Sequence, residues 1–183
     1  MAINHLKASF YSGCIKDIYE YLTIYFQDIL KSSAINGIDP DRLIGEHKTA
    51  FDANILLKCD SHNEVVELIT KSVFRGLENE KSTIKLIEKI NKKLDLSINQ
   101  SSITNAMPYL ELRHLLVHSD GKIDQKFTKS YPDFESGIVK TNSKIKLTHK
   151  IVQDAKLTIT TLVEEYDAQV IHKKLIHTDE LQN

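Results

Sequence analysis

The chain of 183 residues has no tryptophan, two cysteines, three prolines and six glycines, and only three of its 24 lysines and arginines are arginine. Each scarcity excludes something. Cys14 and Cys59 lack CxxC spacing, so no cysteine-based metal finger can be built, and the two read as packed or surface thiols of a reducing compartment rather than a disulfide. No apolar run approaches the ~18 residues of a membrane span, and the start MAINHLKASF lacks the basic region and long apolar stretch of a signal peptide. A soluble, cytoplasmic protein with no membrane partner is therefore expected. The net charge of −1 excludes a globally basic nucleic-acid binder and an acidic tail.

What is present is helical periodicity. With so few breakers, long stretches repeat at steps of three and four, which predicts one all-α domain over residues 1–183, a bundle of five or six helices. Phe10, Cys14, Ile18, Tyr21, Leu22, Tyr25, Phe26 and Ile29 predict one broad apolar face on a long first helix that Asn36-Gly37 ends. Asp39-Pro40-Asp41 opens a second helix running to Lys58, mildly interrupted at Gly45. Ser61 with Glu64 fits a capping box for a third helix to about Glu78. Ser82 opens a fourth, with Lys85, Lys89, Lys92 and Lys93 facing water, and Ser101 or Ser102 a fifth, with Gly121 as its left-handed terminal residue. Residues 122–147 form an irregular insert, with Ile138, Lys140 and Ile145, Leu147 able to pair as a short hairpin around Asn142-Ser143. Thr148 caps a last long helix from His149 to about Leu175.

Charge is segregated along this layout. Residues 68–156 carry 16 basic and 10 acidic side chains, whereas the flanks carry 8 and 15. A neutral total thus conceals a basic middle that can attract a polyanion, or simply solvate helix faces.

The densest chemistry lies in Leu112-Arg113-His114-Leu115-Leu116-Val117-His118-Ser119-Asp120-Gly121. At about 100° per residue His114 and His118 share one face about 40° apart, while Arg113 lies about 140° from His118. Arg113 must therefore curl around the helix, or act across an interface, to share a site with His118. Imidazole, with an unperturbed pKa near ~6.5, can move protons near neutrality, and a guanidinium can clamp phosphate. The same residues also suit structure alone, because histidine complements a helix C-terminus and Arg113 can pair with Glu111. Glu111, His114 and His118 fall within roughly 60° and could face a metal, but HExxH is absent and His62, Glu64 and Glu46-His47 read as surface. Lys122, Lys126 and Lys129 follow the segment as candidate phosphate-backbone contacts or solvated loop lysines, and His149 is either a phosphate contact or a capping-turn residue. Tyr11, Tyr19, Tyr21 and Tyr25 read as core and interface aromatics rather than base-stacking platforms.

The segment resembles the HEPN superfamily, all-helical bundles whose ribonuclease members carry Arg, a polar residue, three residues and His. Arg113, His114, Leu115-Leu116-Val117 and His118 fill that pattern, and the continuation Ser119-Asp120-Gly121-Lys122-Ile123-Asp124 is similar to prokaryotic members linked to abortive infection and restriction loci. The resemblance implies a HEPN-like bundle and a homodimeric, metal-independent endoribonuclease with no cofactor, in a toxin-antitoxin or antiviral defence setting and open to regulation by an antitoxin or other partner protein. It implies RNA cleavage to 2′,3′-cyclic phosphate and 5′-hydroxyl ends, with His118 in proton transfer, Arg113 stabilising charge on the phosphorane and His114 orienting or contacting phosphate. A non-catalytic nucleotide- or protein-binding HEPN module is the alternative.

Overall fold

The computed structural model describes residues 2–47, 50–80, 82–132, 134, 140–141 and 144–176. These are mostly helical, with almost no strand. The elements are α1 (Ala2–Ile35), α2 (Pro40–Ile44), α3 (Ala53–Leu56), α4 (His62–Glu78), α5 (Thr83–Leu94), α6 (Gln100–His118), α7 (Gln125–Ser130), a two-stranded antiparallel pair β1 (Lys140–Thr141) and β2 (Lys144–Ile145), and α8 (His149–His172). Among the described residues no helix is long and apolar enough to cross a membrane. The chain divides into two compact units, to both of which α1 and α8 contribute.

The first unit comprises Met1–Leu22 and Asn99–Val163. Its core joins Ile15 of α1, Leu112 and Leu115 of α6, Phe127 of α7, Ile145 of β2 and Ala155 of α8. The expected hairpin is present, with Lys140 opposite Ile145 and Thr141 opposite Lys144; Ile138, Gly137 and the Asn142-Ser143 turn lie outside the described residues. The insert also holds a helix that the periodicity does not predict. Asp124 caps α7 by accepting a hydrogen bond from the Phe127 N–H at 2.7 Å, which starts the turn that carries Phe127 into the core. At α6 the cap is Asn99 rather than Ser101 or Ser102: its side-chain oxygen accepts from the N–H and the hydroxyl of Ser101, both at 2.9 Å. Pro108 is buried within α6 without ending it. Thr148 caps α8 as expected, accepting from the Ile151 N–H at 3.3 Å.

The second unit comprises Thr23–Ile98 and Glu164–Asn183. Tyr166 is fully buried, packs edge-on against Phe26 with ring centroids 5.1 Å apart, and donates its hydroxyl to Asn91 Oδ1. Tyr25 donates to Asp167 Oδ1 at 2.7 Å, so burial and the adjacent carboxylate push the phenol well above its ordinary range. Leu86, Ile87, Ile90 and Leu94 of α5 turn inward as the periodicity requires.

Four expectations need correction here. The helix from Asp41 to Lys58 is instead two short ones: Gly45 adopts φ 54°, ψ −126°, which ends α2, and Asp52 starts α3 anew by accepting from the Asn54 N–H. Lys93 does not face water. Only 6% exposed, it donates to the carbonyls of Leu43 at 2.5 Å and Ile44 at 3.2 Å, whose groups the end of α2 leaves free. On α1, Phe10 and Tyr21 are 68% and 70% exposed, because the buried stripe runs through Ile15, Leu22, Phe26, Ile29 and Leu30. Steps of three and four fit either of two adjacent stripes, and the partner that selects between them is distant in sequence. The capping box is also altered: Ser61 accepts from the Glu64 N–H, but Glu64 Oε2 reaches the Asp60 N–H rather than that of Ser61.

Candidate functional site

The Arg113 to His118 segment is the last turn and a half of α6. Its buried side, Leu112 and Leu115, locks that turn to the core, leaving His114 and His118 exposed. The helix then stops abruptly. The N–H groups of Ser119 and Gly121 both donate to the Leu115 carbonyl at 3.0 Å, which requires Asp120 and Gly121 to take positive φ, 51° and 72°. Gly121 thus meets the expected left-handed conformation, shared with Asp120. The Gly121 carbonyl accepts from the Ile145 N–H at 2.9 Å, tying β2 to the helix end. Lys144 closes the corner by pairing with Asp120, and that hydrogen bond and charge hold the Asp120 carboxyl below its usual range.

One helical turn apart, the His114 and His118 rings are 4.6 Å centroid to centroid with planes at 47°. Neither has an acidic partner among the described residues. Arg113 takes another direction. Half-buried, it places its guanidinium carbon 4.7 Å from the ring centroid of Tyr19 on α1, a cation–π contact worth about 0.5–2 kcal/mol. A guanidinium that meets a ring through its face keeps its in-plane N–H fork for other partners. No ion pair or ring contact joins Arg113 to either imidazole among the described residues, so one chain assembles the two histidines but not the triplet. Burial, and after it the charge of half-buried Glu111, raises the Tyr131 hydroxyl. Among the described residues no three His, Cys, Asp or Glu side chains converge as a metal site.

Beside this helix end lies an open groove of about 970 Å³ between the start of α1 and the β2–α8 junction. Leu116, Asp120 and Gly121 form its wall on the motif side, and Lys7, Lys16, Lys144 and Lys146 line it with His5 and His149. Among the described residues four lysines face a single carboxylate, and Lys144 is the one that pairs with it. The lysines singled out from the sequence sit elsewhere. Lys122 is exposed next to the groove, bridged through its backbone to Lys144, while Lys126 and Lys129 project from α7 into solvent, and none of the three lines the groove. Sequence reasoning missed Lys7, Lys16 and His5, which join the site only through folding. The lysine density of residues 119–156 is the one signal that pointed towards Lys144 and Lys146. His149 lines the groove, its ring 6.5 Å from that of Tyr11. Of the four tyrosines, Tyr21 departs from the core reading by its exposure. Compared with protein-family models, with curated proteins and with solved structures, the chain gives no match.

Proposed function

We propose that this protein is a metal-independent endoribonuclease of HEPN type, acting as a homodimer in a toxin-antitoxin, abortive-infection or other defence setting. The observation that carries the reading is the exposed His114–His118 pair, 4.6 Å between rings, at a rigidly capped helix end. Cleavage by transphosphorylation needs a proton acceptor at the ribose 2′-hydroxyl and a proton donor at the departing 5′-oxygen, on opposite sides of the phosphorus and each within about 2.6–3.2 Å of its oxygen. Two rings this close serve one side. His118 therefore takes one proton transfer with His114 orienting it, and the corresponding histidine of a second copy takes the other. Arg113, stacked on Tyr19, directs its N–H fork at the phosphorane across that interface. The groove lysines supply sequence-independent attraction for the RNA backbone, with Lys122 at its edge and Lys126 and Lys129 as outlying contacts. A second copy would also cover Ile3, Leu6 and Phe10, whose side chains are 68–69% exposed along one face of α1.

The Arg113–Tyr19 stack favours one second reading, a non-catalytic binding module in which this arginine is a structural tie. Incubating the full chain with structured and unstructured RNA in EDTA separates the two. Wild type should yield 2′,3′-cyclic phosphate and 5′-hydroxyl ends, and His118→Ala and Arg113→Ala should each lower cleavage by about 10²-fold or more. Intact RNA with wild type, or variants that cut as well, would overturn the catalytic reading.

A further inference from the structure

A second cationic pocket lies away from the histidines, within the second unit. It is formed by α2, the turn after it and one face of α5, and its volume of about 370 Å³ falls at the lower end for small-ligand sites. Among the described residues Arg42, Lys89, Lys92 and Lys93 line it against two carboxylates, Asp41 and Glu46. The charges are unevenly satisfied. Lys89 is engaged by Glu80 at 2.5 Å, with Glu46 at 4.0 Å, and the Arg42 terminal nitrogen is 3.8 Å from Asp95, which Lys173 holds more closely at 2.8 Å. Lys92 has no ion pair among the described residues, and buried Lys93 uses two of its three N–H groups on backbone carbonyls.

Two atoms on side chains that line this pocket are unexplained by the fold. Arg42 Nε and His47 Nε2 are both covered from solvent and have no hydrogen-bond partner among the described residues. Buried polar atoms are normally paired, and two such atoms on side chains that line one cationic cavity leave donor capacity for an acceptor from outside the chain. The His47 ring is fixed from behind: a Cβ on Gly76 of α4 would lie 2.8 Å from His47 Nδ1, so glycine there lets the imidazole pack against the helix backbone. Read from sequence as surface, His47 is thus a held, inward-facing group.

We infer that this pocket binds a tetrahedral phosphate-type oxyanion, with the Arg42 Nε–H, the His47 imidazole, the Lys93 ammonium and Lys92 as its donors. A planar carboxylate offers two oxygens; four donor side chains lining one pocket match the larger acceptor set of a phosphate better. The crowding of cations already acts on these donors. Desolvation first, then the charges of Lys93 and Lys89, depress the His47 imidazole, with Glu46 and Glu80 opposing; desolvation likewise depresses the Lys93 ammonium. An anion seated among them reverses these effects.

The test is calorimetry on the full chain with inorganic phosphate and, separately, a nucleoside 5′-monophosphate, alongside histidine NMR titration. Binding should weaken by about tenfold or more in Arg42→Gln and in Lys92→Gln, whose exposed side chain can be changed without threatening the fold, and stay unaltered in Lys71→Gln on the outer face of α4. Phosphate should raise the His47 titration midpoint. A monophosphate that binds tenfold tighter than inorganic phosphate identifies a phosphomonoester as the ligand, and equal affinities identify free phosphate. Absence of binding by both, or equal binding by Arg42→Gln, Lys92→Gln and wild type, overturns the inference.

Discussion

Gly76 offers a sharp test of how the second unit is packed. It lies inside α4, where alanine in place of glycine should stabilise by about 1 kcal/mol through lower chain entropy in the unfolded state. The added Cβ, however, would stand 2.8 Å from His47 Nδ1 and 3.1 Å from Cε1, distances at which the imidazole must move. Displacing a well-packed group costs about 1–3 kcal/mol, so Gly76→Ala should be neutral to destabilising by up to about 2 kcal/mol. Removing the ring first restores the helix rule: in a His47→Ala background the same substitution should stabilise by about 1 kcal/mol. Urea denaturation of wild type, the two single variants and the double variant gives the coupling directly, and about 1–3 kcal/mol is expected. A coupling near zero, with Gly76→Ala stabilising the wild type, would refute the contact and remove the reason for His47 being held inward.

At Gly121 the space is sufficient, since a Cβ meets only Leu116 Cδ2 at 3.6 Å, so Gly121→Ala should cost about 1–2 kcal/mol from its φ of 72° alone, and a thermal melt showing no loss would contradict the described helix end. Lys93 carries a lowered pKa, so the unfolded chain binds more protons than the folded one as pH approaches 10.5 from below, and stability gains from rising pH in that window; Lys93→Met should remove this component, read as the wild-type-minus-variant difference in urea midpoint between pH 8 and 10. Lys89 and Lys150, raised by their carboxylate partners, have the opposite sign and cancel in that difference. Phe10→Asp should leave the melting temperature within a degree or two, because the side chain is 68% exposed, yet shift the chain from dimer to monomer in sedimentation and lower RNA cleavage in parallel; an unchanged sedimentation profile would remove α1 from the interface.

Signals local in the chain are legible in the residue pattern alone. Ser61 and Thr148 each cap the helix they precede, Asp39-Pro40 opens α2, and the hairpin ahead of the last helix forms where two alternating segments flank Asn142-Ser143. The same holds for the segment of interest: spacing places His114 and His118 on one face, and their rings meet there. Short caps are legible only in part, since Asn99 opens α6 ahead of the serines and Asp124 starts a helix too brief for periodicity to reveal.

The amino-acid sequence by itself determined that the chain is helical, where most helices begin and end, and that two histidines and an arginine crowd one helix end. These follow from interactions within four residues of chain: backbone hydrogen bonds, caps and the steric freedom of glycine. Tertiary structure decided which of two apolar stripes on α1 is buried, that Lys93 spends its charge on carbonyls 49 and 50 residues earlier, that Arg113 stacks on Tyr19, and that Lys7 and Lys16 meet Lys144 and Lys146 in one groove. Each of those outcomes depends on a partner brought close only when the chain closes large loops to bury its apolar faces, so no local pattern encodes it.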